Sequence, residues 1–305
     1  MLFFPRSRAR LRVLFGCPMK SFILAARPKT LPAAVVPVWV GCVLAYVLTG
    51  TWDVQLAIFT LLGAVFIQIG TNFFNDAIDA EKGADTEKRL GPMRVTASGK
   101  LSRKVVYLSA IVSLILSSVC GYFLIEARGW PILVIGVVSL YFAYGYTGGP
   151  LPLAYKGLGE LFVILFFGLV AVGGTVFVQT GNWYIESIWL GLAIGCLSAV
   201  LIAVNNLRDV DEDRANGKNT LAVQWGRSAS IFLVRLMTMT AYAVAVVMCH
   251  FNWCLLGFLV PLGLGVFIIV RISRELPGSQ YNRYLALAAL QLLLFAAVFQ
   301  FVSVL

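Results

Sequence analysis

The stretch Val54-Gln-Leu-Ala-Ile-Phe-Thr-Leu-Leu-Gly-Ala-Val-Phe-Ile-Gln-Ile-Gly-Thr-Asn72-Phe-Phe-Asn75-Asp76-Ala-Ile-Asp79 opens with twenty-one residues, 54–74, that carry no charge. At about 1.5 Å per residue, a helix of that length spans roughly 30 Å, the thickness of a bilayer's hydrocarbon core. The run reads as a transmembrane helix. If the helix continues through Asp79, then Asn72, Asn75, Asp76 and Asp79 recur at steps of three and four and share one face.

The rest of the 305-residue chain supports that reading, with apolar residues at 60% and charged residues at 12%. An ordinary globular protein has roughly 45–50% and 25%. Mean hydropathy is +0.87. Nine apolar stretches stand out, at 31–49, 54–74, 105–125, 131–147, 159–178, 187–205, 229–249, 254–271 and 284–304. They are too long for transmembrane strands, which would be about ten alternating residues. The expected fold is all-α: a polytopic membrane protein with nine transmembrane helices in a single bundle around a central cavity, embedded in membrane lipid. Soluble enzymes, disulfide scaffolds and coiled coils are excluded.

The 24 Lys and Arg residues test the helix count. With the N-terminal arm and the loops after spans 2, 4, 6 and 8 on one side, 22 of them fall there. Arg128 lies opposite and Arg235 lies within span 7. Positive charge marks the cytoplasmic side. The N-terminus is expected in the cytoplasm, in a bacterial inner membrane or its equivalent, and the C-terminus outside. Residues 1–19 read as a basic cytoplasmic extension, with Met19 an alternative start, and 20–305 as the membrane domain. The basic charge of +10 is explained by topology and calls for no nucleic acid. Six cysteines (Cys17, Cys42, Cys120, Cys196, Cys249, Cys254) form no CxxC pair and read as small buried side chains.

Nine of the 14 acidic residues fall in two clusters. One runs from Asn72 through Asp76 and Asp79 to Glu81, Asp85 and Glu87 at the end of span 2. The other is Asn205-Asn206-Leu-Arg208-Asp209-Val-Asp211-Glu212-Asp213, followed by Gly217-Lys218, at the end of span 6. Asn75-x-x-x-Asp79 and Asn205-x-x-x-Asp209 repeat one spacing 130 residues apart. Asn205, Asp209 and Asp213 also share a face if span 6 continues. Carboxylates stacked this way repel unless a cation lies between them. Mg²⁺ takes one or two carboxylates and completes its shell with water and phosphate oxygens. Two such units facing each other, flanked by Arg and Lys, would hold a diphosphate through Mg²⁺. Solvated helix ends would account for one such cluster, but they do not account for the echo.

No Walker loop, GxGxxG or GxSxG occurs, and His250 is the sequence's single histidine. A diphosphate site at the mouth of a lipid-embedded bundle suits a long isoprenoid diphosphate. Its allylic cation needs aromatic faces and dryness; Phe73, Phe74, Tyr141, Tyr144, Tyr146 and Tyr155 are candidates.

These motifs resemble the UbiA superfamily of intramembrane aromatic prenyltransferases. Arg27-Pro-Lys-Thr-Leu-Pro-Ala-Ala, Gln68 through Asp85, Gly91-Pro-Met-Arg94-Val-Thr-Ala-Ser-Gly99, Tyr146-Thr-Gly-Gly-Pro150-Leu-Pro and Asn205 through Thr220 are similar to its 1,4-dihydroxy-2-naphthoate branch. The resemblance spans about 20–305. It implies Mg²⁺-dependent transfer from polyprenyl diphosphate to the aromatic acceptor with decarboxylation, giving demethylmenaquinone. It further implies that Asn75 and Asp79, with Asp76 and Asp85, hold one Mg²⁺, and that Asp209 and Asp213 hold the other. Asn75, Asp79, Asp209 and Asp213 form the catalytic set. Arg94, Arg208 and Lys218 would contact diphosphate, Arg27 would help close the site or meet the acceptor carboxylate, and Asn72 and Tyr144 would contact substrate. Related 4-hydroxybenzoate enzymes carry NDxxDxxxD; here Gly83 stands at the last position and the acid follows as Asp85, which favours the naphthoate branch. Two alternatives stand: the same chemistry on 4-hydroxybenzoate, homogentisate, haem or chlorophyllide, and a cation transporter. A transporter predicts acids at the membrane's midplane, whereas these gather at one face.

Overall fold

The computed structural model describes residues 18–83, 90–150, 152–248 and 253–304. A short helix α1 (Pro18–Ala26) leads through a 3-10 turn (Pro28–Thr30) into α2 (Pro32–Thr49), α3 (Val54–Glu81), α4 (Arg103–Arg128) and α5 (Trp130–Gly145). Then come α6 (Gly159–Thr180), α7 (Ile185–Arg208), the short α8 (Val210–Ala215), α9 (Leu221–Met248), α10 (Leu255–Arg274) and α11 (Tyr281–Val304). Leaving out α1 and α8, each helix coincides with one expected span. Eight are long and apolar enough to cross a membrane, and α5, at 16 residues, is the short one. No strand occurs among the described residues.

Local chemistry sets several of these ends. Asp53 caps α3 by accepting the Leu56 N–H at 2.9 Å, and Ser102 caps α4 through Val105. Such caps satisfy amides that have no partner within the helix. Asp209 departs from helical dihedrals (φ −96°, ψ 10°), so α7 stops at Arg208 and α8 restarts after it. The expectation that span 6 runs unbroken through Asp213 is corrected, although the chain of backbone bonds from Asp209 to Asn205 and from Asp213 to Asp209 persists through the bend. Helix α9 breaks at Gly226, whose φ of 77° strains any residue with a side chain.

Helix α7 is central: 72% of its most apolar window is buried, against 22% for α3. It packs on α2, α6, α9 and α11 around Val36, Val40, Ile194, Leu197, Leu292 and Phe295. Close approach to α6 depends on glycine. A Cβ at Gly168 would lie 2.3 Å from the Gly191 carbonyl, and one at Gly195 would lie 2.7 Å from that of Ile164. At this crossing α6 widens into a π-helical turn, Ile164–Val170. Such turns shift the register of the side chains that follow. On the periphery Leu108, Ile111, Ile115 and Val119 of α4 and Leu133, Val137 and Tyr141 of α5 stand exposed. An apolar belt of this kind belongs against lipid.

Candidate active site

Because α3 continues past its apolar run to Glu81, the first Asn/Asp motif lies on its last turns and lines a cavity of about 940 Å³. Each side chain there has an identifiable partner. Asn72 Nδ2 donates to the Ala26 carbonyl (2.8 Å) and to Thr30 Oγ1 (3.0 Å), pinning the corner between α1 and α2. At that corner Arg27 adopts a left-handed conformation, φ 51°, which costs a non-glycine residue about 1 kcal/mol or more. Asp76 accepts the Val95 and Thr96 amides at 3.2 and 2.9 Å, fastening the 91–99 loop to α3. That brings Arg94 onto Asp79 at 2.9 Å, each side chain 7% exposed, while the Tyr155 hydroxyl donates to the other Asp79 oxygen at 2.8 Å. Thr147 donates to Asn75 Oδ1.

The second motif meets the first across Tyr155. Lys82 Nζ lies 4.0 Å and Lys218 Nζ 5.8 Å from that ring's centre, and Lys82 donates to the Thr147 carbonyl at 2.8 Å. Burial lowers the Lys82 ammonium pKa, against the raising pull of Asp79 and Glu81. Lys218 pairs with Asp213 at 3.5 Å. Arg208 grips Asp209 at 2.6 and 2.7 Å and reaches Asn205 and Asn282, both at 2.8 Å. Burial pushes the Asp213 carboxyl up to about 6, opposed by Lys218 and reinforced by the charges of Asp209 and Asp79.

The cavity wall takes Asn72, Asn75, Asp76, Asp79 and Arg94 from one side and Asn205, Arg208 and Lys218 from the other, with Arg27 alongside. Asp209 and Asp213 are buried behind that wall, so the expected picture of four carboxylates facing each other directly needs correcting. Each stands behind a cation, Arg208 or Lys218, that reaches the hollow. Asp85 lies outside the described residues.

The aromatic candidates are mostly displaced. Tyr144 sets its edge against Phe74 at 5.4 Å and does not line the cavity. Phe73 and Phe74 belong to a packed cluster with Ala77, Val95 and Val106. The aromatic residues on the cavity wall are Phe142, Phe162, Phe166 and Phe167, with Tyr146 beside them. Phe162 and Phe166 stack at 4.3 Å, and Phe142 sets its edge against both. Their pairing across α5 and α6 left no mark in a uniformly apolar sequence. Glu160 was also missed, being an isolated charge outside any pattern of spacing, and so was Lys82, a single cation within the acidic cluster.

A hard divalent cation fits this donor set. The groups are carboxylate and amide oxygens, and Asp213 Oδ2 is buried without a hydrogen-bond partner. Among the described residues no three acids, cysteines or histidines cluster into a cage made by protein alone. Mg²⁺ sites that share their shell with phosphate have this character.

A lipid-facing helical bundle whose basic and acidic residues converge at one end of an apolar cavity defines an integral membrane enzyme for an amphipathic anion. Residues 34–292 match the UbiA prenyltransferase family, and the chain belongs to that family: it is a prenyltransferase. Among its relatives, a Mycobacterium leprae protein named 1,4-dihydroxy-2-naphthoate octaprenyltransferase is 36% identical over 263 residues, 84% of this chain and 87% of that one. A Haemophilus influenzae protein of the same name is 35% identical over 68% of this chain and 70% of its own length. The fold matches a solved UbiA homologue from Archaeoglobus fulgidus bound to GPP and Mg²⁺, with a TM-score of 0.65, 17% identity, and coverage of 93% of this chain and all of that one.

Proposed function

We propose that the protein transfers a polyprenyl group from polyprenyl diphosphate to 1,4-dihydroxy-2-naphthoate with loss of CO₂, giving demethylmenaquinol, the reduced form of demethylmenaquinone. The observation that carries this is the convergence of both Asn/Asp motifs and their cations on one end of a cavity whose remaining wall is largely apolar and aromatic. The names of the relatives favour the naphthoate acceptor.

Arg94, Arg208 and Lys218 offer the diphosphate oxygens charged donors, with the Lys82 charge held behind them over Tyr155. Asn75, Asp76, Asp79, Asp209 and Asp213 are the residues that would hold Mg²⁺, with Asp85, six residues beyond Asp79 in the sequence. When bound, the cation neutralises charge developing on the leaving diphosphate. Phe142, Phe162 and Phe166 present ring faces to the allylic cation and keep water from it. Because exposed Leu133 and Val137 also belong to the cavity wall, the prenyl chain has a route to lipid.

Radiolabelled prenyl diphosphate and purified protein, offered several aromatic acceptors with and without EDTA, test the reading. Transfer to the naphthoate that stops on chelation is expected; transfer that ignores chelation, or prefers another acceptor, contradicts it.

A further inference from the structure

Glu160 is the third carboxylate on the cavity wall, after Asp76 and Asp79. Both oxygens of Asp76 and of Asp79 are engaged by the donors described above. Glu160 differs. It is 3% exposed, Oε1 accepts from Asn206 Nδ2 at 2.9 Å, and Oε2 is buried with no hydrogen-bond partner among the described residues. An idle carboxylate oxygen in a membrane bundle is costly, and a purely structural Glu would have both oxygens satisfied. The first turn of α6, where it sits, favours a negative charge through the helix dipole. That makes a carboxylate there tolerable, and the residue's own amide lies close by, but no hydrogen bond of ordinary geometry reaches Oε2.

Its neighbours describe what the oxygen awaits. Phe162 and Phe166 follow it on α6 and line the same cavity. Tyr146 lines the cavity beside it. A Cβ at Gly159 would come within 3.1 Å of the Tyr146 hydroxyl. Ser198, 2% exposed on α7, also lines the cavity with its hydroxyl buried and unpartnered. A flat aromatic ligand carrying a hydroxyl donor meets these demands.

Building on the prenyl transfer proposed above, we propose that Glu160 Oε2 receives a ring hydroxyl of the aromatic acceptor and takes its proton. The O–H bond breaks, its proton moves to Oε2, and the electron pair left on oxygen drives the ring carbon onto the prenyl C1. The carbon–oxygen bond to diphosphate breaks, and diphosphate leaves with that pair. Loss of CO₂ returns a pair to the ring oxygen, which recovers the proton from Glu160. The carboxylate is regenerated and no further reactant is needed.

The test is turnover of Glu160→Gln and Glu160→Asp against pH, with prenyl diphosphate binding measured separately. Positioned bases contribute 10²- to 10⁴-fold, so Glu160→Gln should lose about 100-fold or more in kcat with unchanged affinity for prenyl diphosphate. Its residual rate should climb about tenfold per pH unit as hydroxide replaces the missing base. Glu160→Asp should keep an intermediate rate and the wild-type pH profile, and it decides the matter if the Gln variant does not accumulate. A Gln variant within threefold of wild type, a slow one with an unchanged pH profile, or an Asp variant whose rate climbs with pH overturns the assignment. If the wild type prefers a different phenol, only the acceptor reading fails, and Glu160 is tested with that phenol.

Discussion

Asp79 shows how one carboxylate is fixed from two sides, by Arg94 at 2.9 Å and Tyr155 at 2.8 Å, so that its charge is held at a fixed position on the cavity wall. Lys218 is the counterpart on the opposite wall, only 18% exposed and paired with Asp213. Lys218→Ala should raise the apparent KM for prenyl diphosphate about tenfold while leaving that for the acceptor within twofold; steady-state assays varying each substrate check this, and equal changes in both would remove Lys218 from the diphosphate site. The spacing of three and four residues made Asn75, Asp76 and Asp79 readable from sequence because a helix turns that spacing into a face. Glu160 had no such spacing to announce it. Its importance lies in an idle oxygen, and hydrogen-bond partners brought together by folding are invisible in a linear chain. The place of Tyr144 was hidden for the same reason: one turn of α5 decides whether a ring meets the cavity or, as here, Phe74.

At the scale of helices, the apolar runs were legible to within a few residues because each must satisfy its backbone internally across some 30 Å of hydrocarbon. The break at Asp209 and the π turn of α6 were not, since both arise where helices press on each other. Gly168 marks the tightest such point. Gly168→Leu sets a side chain against the Gly191 carbonyl and should destabilise the protein by about 1–3 kcal/mol, the usual cost of overpacking. The measurement is a melting curve in detergent beside Gly136→Leu, a site with open space around its Cα. Equal melting temperatures would show that α6 and α7 do not depend on this contact.

For the whole molecule, the bundle gathers two motifs 130 residues apart at one end of one cavity. The bunching of Lys and Arg in the loops at that end supports the proposal that it faces the cytoplasm. In a variant whose native cysteines are replaced, Lys100→Cys should react with an impermeant thiol reagent in inverted membrane vesicles and not in right-side-out ones; the reverse pattern contradicts the orientation. The central claim is that both motifs hold one diphosphate together through Mg²⁺. Calorimetric titration of an unreactive prenyl thiodiphosphate into wild type, Asp79→Ala and Asp213→Ala, each with and without Mg²⁺, tests it most directly. The account predicts tight binding in wild type with Mg²⁺ and at least tenfold weaker binding when the metal or either carboxylate is removed, while wild-type affinity in either variant, or binding indifferent to Mg²⁺, would contradict it.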